Sequence, residues 1–172
     1  MKRIVTVCAA VLTMTLATAA FGADVKIGSV DIQKILVLSN AGKEAKEQLV
    51  AKGNKYEAEK NAREEELRKL KGELEKQSVV LSEESRKAKE QLFMQKRKEL
   101  DRFLKDAQDD LQAKNDELTG KLVEAIVKIV QDYGKKNGYS CIFIKNESMV
   151  YVDQKADLTE EILKKFNSTS KN

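Results

Sequence analysis

The absence of proline from a long charged stretch is the feature that most constrains how this chain can fold. None of the 172 residues is proline, 35% are charged and only 5% are aromatic. Proline breaks or kinks a helix interior, and a composition rich in Ala, Glu, Lys, Leu and Arg is typical of long solvated helices. The sequence therefore predicts extended helices and argues against a compact globular enzyme.

A thin apolar stripe at heptad spacing runs through residues 44–77, which we predict to be one helix. Apolar residues three and four positions apart are typical of a coiled-coil seam. Gly53, Lys60 and Arg63 interrupt the stripe, so the seam is expected to be weak near its start and able to bend there. The apolar members are Leu49, Tyr56 and Leu70 at one heptad position and Leu67, Leu74 and Leu81 at the other.

A second helix is predicted from Glu83 to about Tyr133. Its apolar stripe consists of two series in which residues repeat every seven positions. One series is Phe93, Leu100 and Ala107, and the other is Leu104, Leu111 and Leu118. Residues 122–130 are apolar on more than one face. That end of the helix should therefore be buried against something larger than a single partner helix.

The segment QSVVLSEES at residues 77–85 predicts a reversal between the two helices. Its valines disfavour helix, Ser82 can act as an N-cap, and Glu83 and Glu84 place negative charge in the first turn. An arm folded back here would project ~50 Å. It would bring together Glu57 and Lys105, Glu59 and Arg102, and Glu64 and Arg97. A helix that continues unbroken through the serines is the alternative.

The first 22 residues have the three parts of a secretory signal peptide. Basic residues at positions 2 and 3 precede an apolar run from Ile4 to about Leu16, and small residues follow it. We expect cleavage after Gly22 or Ala23, and a retained membrane anchor is the alternative. Loss of Lys2 and Arg3 lowers the formal net charge from +4 to about +2, which does not favour general binding of polyanions.

Residues 23–43 and 134–172 are predicted to form a small body at the base of the arm. In the first segment, a strand at 25–30 precedes a short helix capped by Asp31. This helix carries Ile32, Ile35 and Leu36 on one face, and a turn at Ser39, Asn40 and Gly42 ends it. Residues 44–133 then form the arm, with its tip near residues 78–82.

In the second segment, Gly134 and Gly138 are expected to stop the long helix. YSCIFIK and MVYVD, separated by the turn NES, predict a β-hairpin that offers Ile142, Ile144, Val150 and Val152 to one or both faces. A final amphipathic helix should be capped by Asp157 or Thr159. Its inward residues are Ile162, Leu163 and Phe166, and Cys141 is expected to be a small buried residue of the strand.

No arrangement of catalytic or metal-binding residues is found in the sequence. The chain has no histidine, and Cys141 is the single cysteine after the signal peptide. The usual proton shuttle and the common metal ligands are therefore missing. The glutamates at 64–66 are expected to be partners in salt bridges, and we expect no enzyme activity, cofactor or metal.

A positive charge near the arm tip is the remaining candidate for function. Residues 68–98 carry five acidic side chains and ten basic ones: Arg68, Lys69, Lys71, Lys76, Arg86, Lys87, Lys89, Lys96, Arg97 and Lys98. Apolar candidates nearby are Val79, Val80, Leu81, Phe93 and Met94. An excess of positive charge can attract acidic chains, and salt weakens that attraction. An ordinary solvated helix face is the alternative.

Four features follow one another along the chain: KIGSVDIQKIL, SNAGK, a long charged hairpin and VYVDQKADLTEEIL. In this order they resemble the OmpH/Skp family of periplasmic chaperones. This resemblance implies an α+β, mainly α fold, in which a long antiparallel coiled-coil hairpin, the tentacle, stands on a small β-containing trimerisation body. It also implies a homotrimer that holds unfolded outer-membrane proteins, its clients, between its arms without ATP. The body residues expected at the oligomer contact are Ile27, Val30, Ile126, Ile129, Ile142, Ile144, Val150 and Val152.

Other functions remain as alternatives to the holding of clients. A static coiled-coil spacer or adaptor of the cell envelope would show the same helical pattern. An anionic lipid or lipopolysaccharide surface is a further possible partner of the basic tip. Nucleic-acid binding is disfavoured, because the net charge is small and aromatic residues that could stack on bases are scarce.

Overall fold

Two long antiparallel helices rise from a small body, as seen in a computed structural model that describes residues 25–77 and 82–169. The predicted signal peptide and most of the predicted tip, residues 78–81, lie outside the described residues. In chain order the elements are β1 (Ile27–Val30), α1 (Ile32–Leu38), α2 (Asn40–Gln77), α3 (Glu83–Lys136), β2 (Cys141–Ile144), a 3-10 turn (Gln154–Ala156) and α4 (Thr159–Thr169).

The hairpin of α2 and α3 is confirmed, and its register is one residue away from the predicted one. Lys52 pairs with Asp110, Glu66 with Lys96 at 3.0 Å and Glu73 with Lys89 at 2.7 Å. None of the three predicted pairs is an ion pair among the described residues. Glu57 and Glu59 instead bind Lys60 and Arg63 of their own helix, because i,i+3 and i,i+4 neighbours are closest on a helix.

The ends of α3 follow local capping chemistry. Ser82 is the N-cap, and its hydroxyl accepts a 3.3 Å hydrogen bond from the amide of Ser85. At the other end, Gly138 takes a positive φ of 69° just beyond the helix, as a C-terminal glycine commonly does. Gly134 does not stop the helix as predicted. A Cβ at this position would lie 3.1 Å from Cδ1 of Ile142, so glycine there lets α3 pack closely against β2.

The β-hairpin predicted from residues 139–153 is wrong. The turn exists, since the Met149 amide donates to the carbonyl of Asn146 at 3.0 Å, but residues 149–153 form no strand. The partner of β2 is β1, in parallel, with Ile27 opposite Cys141 and Val30 opposite Ile144. Asp157, just before α4, forms an isolated parallel bridge with Ser29 on the other edge of β1, and the outer edge of β2 is left without a partner strand among the described residues.

The junction between α1 and α2 depends on Gly42. Asp31 caps α1 as predicted, accepting a 2.8 Å hydrogen bond from the Lys34 amide. The predicted turn is shorter than expected, because Ser39 alone separates the two helices and Gly42 is already helical. A Cβ at Gly42 would lie 1.7 Å from the Leu36 carbonyl oxygen. Only glycine allows α2 to start this close to the end of α1.

The core of the body lies where α1, α4 and the last turns of α3 meet over the sheet. Its buried residues are Val30, Ile32, Ile35, Ile126, Leu158, Ile162 and Phe166, and partly buried residues of α3 around Leu122, Ile129 and Val130 pack against them. The apolar end of α3 is thus buried as predicted. Thr159 joins the layers, since its hydroxyl donates to Asp157 at 2.5 Å and accepts from the Asp31 amide at 3.0 Å.

Candidate functional site

The seam between α2 and α3 contains a polar cluster that the sequence did not predict. Lys52 and the hydroxyl of Tyr56 both bind the same carboxylate oxygen of Asp110. These hydrogen bonds lower the pKa of the Asp110 carboxyl below its ordinary value, and they raise the pKa of Lys52 and of Tyr56. The middle of the arm is therefore joined by directional polar bonds as well as by apolar packing.

Phe103 is a second unpredicted member of the seam. Its ring meets that of Tyr56 edge-on at 5.9 Å and lies 4.6 Å from the guanidinium of Arg63. Leu104, which the heptad series placed in the seam, is 40% exposed instead. The sequence carried a signal for the correct position, because residues 89, 96, 103 and 110 also repeat every seven positions. Three of those four residues are charged, so the apolar pattern of the sequence does not reveal this series.

The seam buries little apolar surface along the arm. In the described part of the arm outside its contact with the body, from residue 44 to residue 121, only Leu100 and Ala107 are buried apolar side chains. The predicted seam leucines on α2 are half-buried. Gly53 and Gly72 have no heavy atom within 4 Å of where a Cβ would stand. Few buried contacts and open space at these glycines are typical of a segment with low local stability, and bending of the arm stays a prediction.

Most of the predicted basic tip residues are in ion pairs. Seven of the ten bind a carboxylate: Arg68, Lys69, Lys71, Arg86, Lys87, Lys89 and Lys96. Arg68 lowers the pKa of the Glu65 carboxyl, and Glu66 raises the pKa of Lys96. Among the ion pairs of the described residues, none involves Lys76, Arg97 or Lys98. These three side chains are therefore the predicted basic tip residues that have no ion-pair partner among the described residues.

A shallow groove on α3 brings together three of the predicted tip residues. Lys87, Met94 and Lys98 line it with the neighbouring side chain of Arg102, and its volume is about 620 Å³. Met94 is 49% exposed, whereas Phe93 is half-buried in the seam. The three other apolar tip residues, Val79, Val80 and Leu81, lie outside the described residues. Glu90 and Glu99 also line the groove, and Leu92 is 41% exposed nearby, so the described part of the tip offers two exposed apolar side chains among charges of both signs.

The body exposes a second set of apolar residues beside the sheet. Phe143 is 50% exposed, Ile144 55%, Tyr151 82% and Val150 98%, and Ile27 and Cys141 are also exposed. The prediction that Cys141 is buried is therefore wrong for the single chain. Within residues 25–77 and 82–169, no strand pairs with the outer edge of β2, so that edge stays open beside these exposed side chains.

The remaining body residues predicted at an oligomer contact are placed differently. Val30 and Ile126 lie fully inside the core of the chain itself, where they stabilise the body. Ile129, Ile142 and Val152 are half-buried. Of the predicted set, Ile27, Ile144 and Val150 therefore offer the most surface to another molecule.

The described residues offer neither a metal-binding cluster nor a membrane-spanning helix. Residues 25–77 and 82–169 contain no group of three or more His, Cys, Asp or Glu side chains that could hold a metal ion. Within the same residues, no helix has the length and apolar character needed to cross a bilayer.

Comparison with known proteins places this architecture in a family. The model of a family described as outer membrane protein (OmpH-like) matches residues 26–166. A protein of uncharacterised function from Aquifex aeolicus (strain VF5) is 30% identical over 138 residues, which cover 80% of this chain and 83% of that protein. A crystal structure from Caulobacter crescentus CB15, of a protein assigned as an OmpH-like outer membrane chaperone, has a TM-score of 0.79 at 12% identity and covers 84% of this chain and 85% of that chain.

At that identity the Caulobacter structure shows a shared fold. The family match is independent of it and spans both strands, the whole described hairpin and most of α4. The chain therefore belongs to the OmpH-like family.

Proposed function

We propose that this protein is an ATP-independent holdase chaperone of the periplasm, which keeps unfolded outer-membrane proteins from aggregating. The N-terminal signal sequence would direct its export. Three copies would join through their bodies, and the three arms would enclose a cavity for the client. This activity needs no catalytic residue and no cofactor.

The observation that carries the proposal is the free-standing arm. α2 has 38 residues, so the arm extends about 55 Å at 1.5 Å per residue. Both of its helices are solvated on most faces, and its seam buries few apolar side chains. A rigid spacer would gain from a strong continuous seam, whereas a weak seam suits an arm that adapts to clients of different size.

The exposed apolar surface of the body supports assembly of several copies. Phe143, Ile144, Val150 and Tyr151 are all at least half exposed. A two-stranded sheet is at best marginally stable without further packing, and a body this small needs partners to bury its apolar faces. An interface through the open edge of β2 would bury these side chains and extend the sheet.

The charges of the tip support the capture of clients. Lys76 lies near the tip, Arg97 and Lys98 lie about 20 Å from the start of α3, and none of the three forms an ion pair with another described residue. Three arms would bring nine such charges to the distal half of the cavity. Many weak contacts of this kind hold a chain by avidity without one deep pocket, and they let it leave one segment at a time.

The holding activity can be tested by diluting a urea-denatured outer-membrane β-barrel protein into buffer with the mature protein. We expect light scattering to stay low at about one trimer per client, with no nucleotide present. Aggregation at the rate seen in buffer alone would contradict the proposal and favour a static spacer.

Assembly can be tested separately by sedimentation of the mature protein. We expect the mass of three chains, and we expect Val150→Asp to shift the protein toward single chains. Glu147→Ala, in the exposed turn nearby, is the matched control and should leave the mass unchanged. A single-chain mass for the wild-type protein would contradict the trimer.

A further inference from the structure

An uncharged groove lies on the side of the arm near the body, away from the basic tip. Residues of both α2 and α3 line it, and its volume is about 570 Å³. None of its lining side chains is charged, although 35% of the residues in the chain are. The groove therefore differs in chemistry from the groove on the distal part of α3, whose lining includes both basic and acidic side chains.

The lining combines an apolar floor with an amide rim. Leu49 and Leu111 are half-buried, while Val50 and Leu104 are 52% and 40% exposed and stay open to solvent. Gln108 and Gln112 lie beside them on α3, and Nε2 of Gln112 donates a 2.9 Å hydrogen bond to Asp116, which leaves its oxygen and second N–H for a partner. A side-chain amide both donates and accepts hydrogen bonds, so this rim can bind the backbone of another chain while the floor takes its apolar side chains.

The size of the groove favours a short extended segment over a second folded copy. From Leu104 to Asn115, the helix advances about 16 Å, which is the length of about five residues of extended chain. A stable interface between folded proteins uses roughly 20–30 residues on each side. Eight residues line this groove, far fewer than such an interface needs.

We propose that this groove binds an extended client segment in which apolar residues alternate with uncharged polar ones. Strands of outer-membrane barrels have such an alternation. The apolar residues of the segment would contact Val50 and Leu104, and its backbone would bind Gln108 and Gln112. This assignment rests on the proposed holding function. It adds a site near the base of the arm, where the segment is held after the tip has attracted the chain.

The test uses the full-length mature protein and two probes. One probe is a synthetic peptide that alternates apolar and uncharged polar residues, and the other is the urea-denatured β-barrel protein. We expect Leu104→Lys to weaken binding of the peptide about tenfold, because an ammonium group would face apolar side chains. Val50→Lys, on the opposite helix, should have a similar effect and serves as a second variant.

Ala113→Lys is the matched control, since it adds the same charge to an exposed position of α3 on the side away from the groove. It should bind the peptide as the wild type does. A photoreactive residue at position 104 should cross-link to the client, and one at position 113 should not. Helicity and sedimentation mass establish that each variant is folded and assembled.

Three outcomes would overturn the groove site. The first is wild-type affinity for the peptide in folded Leu104→Lys and Val50→Lys, and the second is an equal loss of affinity in Ala113→Lys. The third is cross-linking of position 104 only to another copy of this chain. In each case suppression of client aggregation by the wild type would leave the holding function standing. Failure of the wild type to suppress aggregation would reject the holding function itself.

Discussion

The hydroxyl of Tyr56 on α2 donates a 2.5 Å hydrogen bond to the carboxylate of Asp110 on α3, across the seam of the arm. Lys52, one helical turn before Tyr56, binds the same oxygen. A polar group in a coiled-coil seam fixes register at some cost in stability, since sliding one helix past the other would separate the three side chains. This cluster sets the alignment of an arm whose apolar contacts are too few to do so.

Mutations in this cluster should show energetic coupling. We expect Tyr56→Phe to lower the midpoint of thermal unfolding slightly and Asp110→Ala to lower it more, because the second change removes both bonds and leaves Lys52 without its partner. In the Asp110→Ala background, Tyr56→Phe should have almost no further effect. Circular dichroism at 222 nm measures all three variants, and simple additivity of the two changes would show that the bond does not contribute.

Glycine substitutions should separate a required glycine from optional ones. Gly42→Ala should destabilise the protein by about 2 kcal/mol or more, since a Cβ there would overlap the Leu36 carbonyl and overpacking typically costs that much. Gly53→Ala and Gly72→Ala are matched controls. They meet nothing within 4 Å and should stabilise their helix by up to about 1 kcal/mol. Equal effects at the three positions, measured by urea unfolding, would contradict this account.

Acid should weaken the arm through Glu117. Lys114 and Lys121 lower the pKa of its carboxyl from 4.5 to about 2. The folded state therefore binds fewer protons than the unfolded state between those values, and the stabilisation is lost as pH falls through this window. We expect the midpoint of thermal unfolding to fall less in Glu117→Gln than in wild type between pH 4.5 and pH 2. The exposed Glu44→Gln provides the comparison, and an identical fall in all three proteins would rule out this role.

Charge reversal at the tip should slow capture. Replacing Lys76, Arg97 and Lys98 by Glu should reduce the association rate with an acidic unfolded client about tenfold at low salt, and the difference should shrink in high salt. A matched triple replacement at the exposed positions Lys43, Lys46 and Lys55, closer to the body, should have a smaller effect. Stopped-flow fluorescence measures the rates, and equal slowing by the two sets would assign the effect to net charge alone.

Local signals made the helices predictable from the sequence. Asp31 and Ser82 cap their helices as expected, because an N-cap bonds to an amide only two or three residues away. The hairpin followed from the interruption at residues 77–85. The apolar end of α3 also packed into the body as predicted, since side chains such as Ile126 occupy more than one helix face.

The sheet and the polar seam could not be predicted in the same way. β2 pairs with β1, more than a hundred residues earlier in the chain, and a strand pattern alone does not say which partner it takes. Gly42 and Gly134 were interpreted as turn residues because glycine favours turns. Both lie in helices, where a Cβ would stand 1.7 Å from the Leu36 carbonyl oxygen at Gly42 and 3.1 Å from Cδ1 of Ile142 at Gly134. Asp110 was not predicted as a seam residue, because it contributes to the seam only through its bonds to Lys52 and Tyr56 on the facing helix.

The parallel pairing of β1 with β2 has a consequence for the possible lengths of the arm. Val30 and Ile144 lie side by side, so the strand before the arm and the strand after it are joined to each other within the body, whatever the length of the arm. Removing one heptad from each helix, at matched positions on the tip side of Phe103, would keep the remaining pairs facing each other and leave the body intact. The length of the arm can thus change in steps of about 10 Å with no change in the structure of the body.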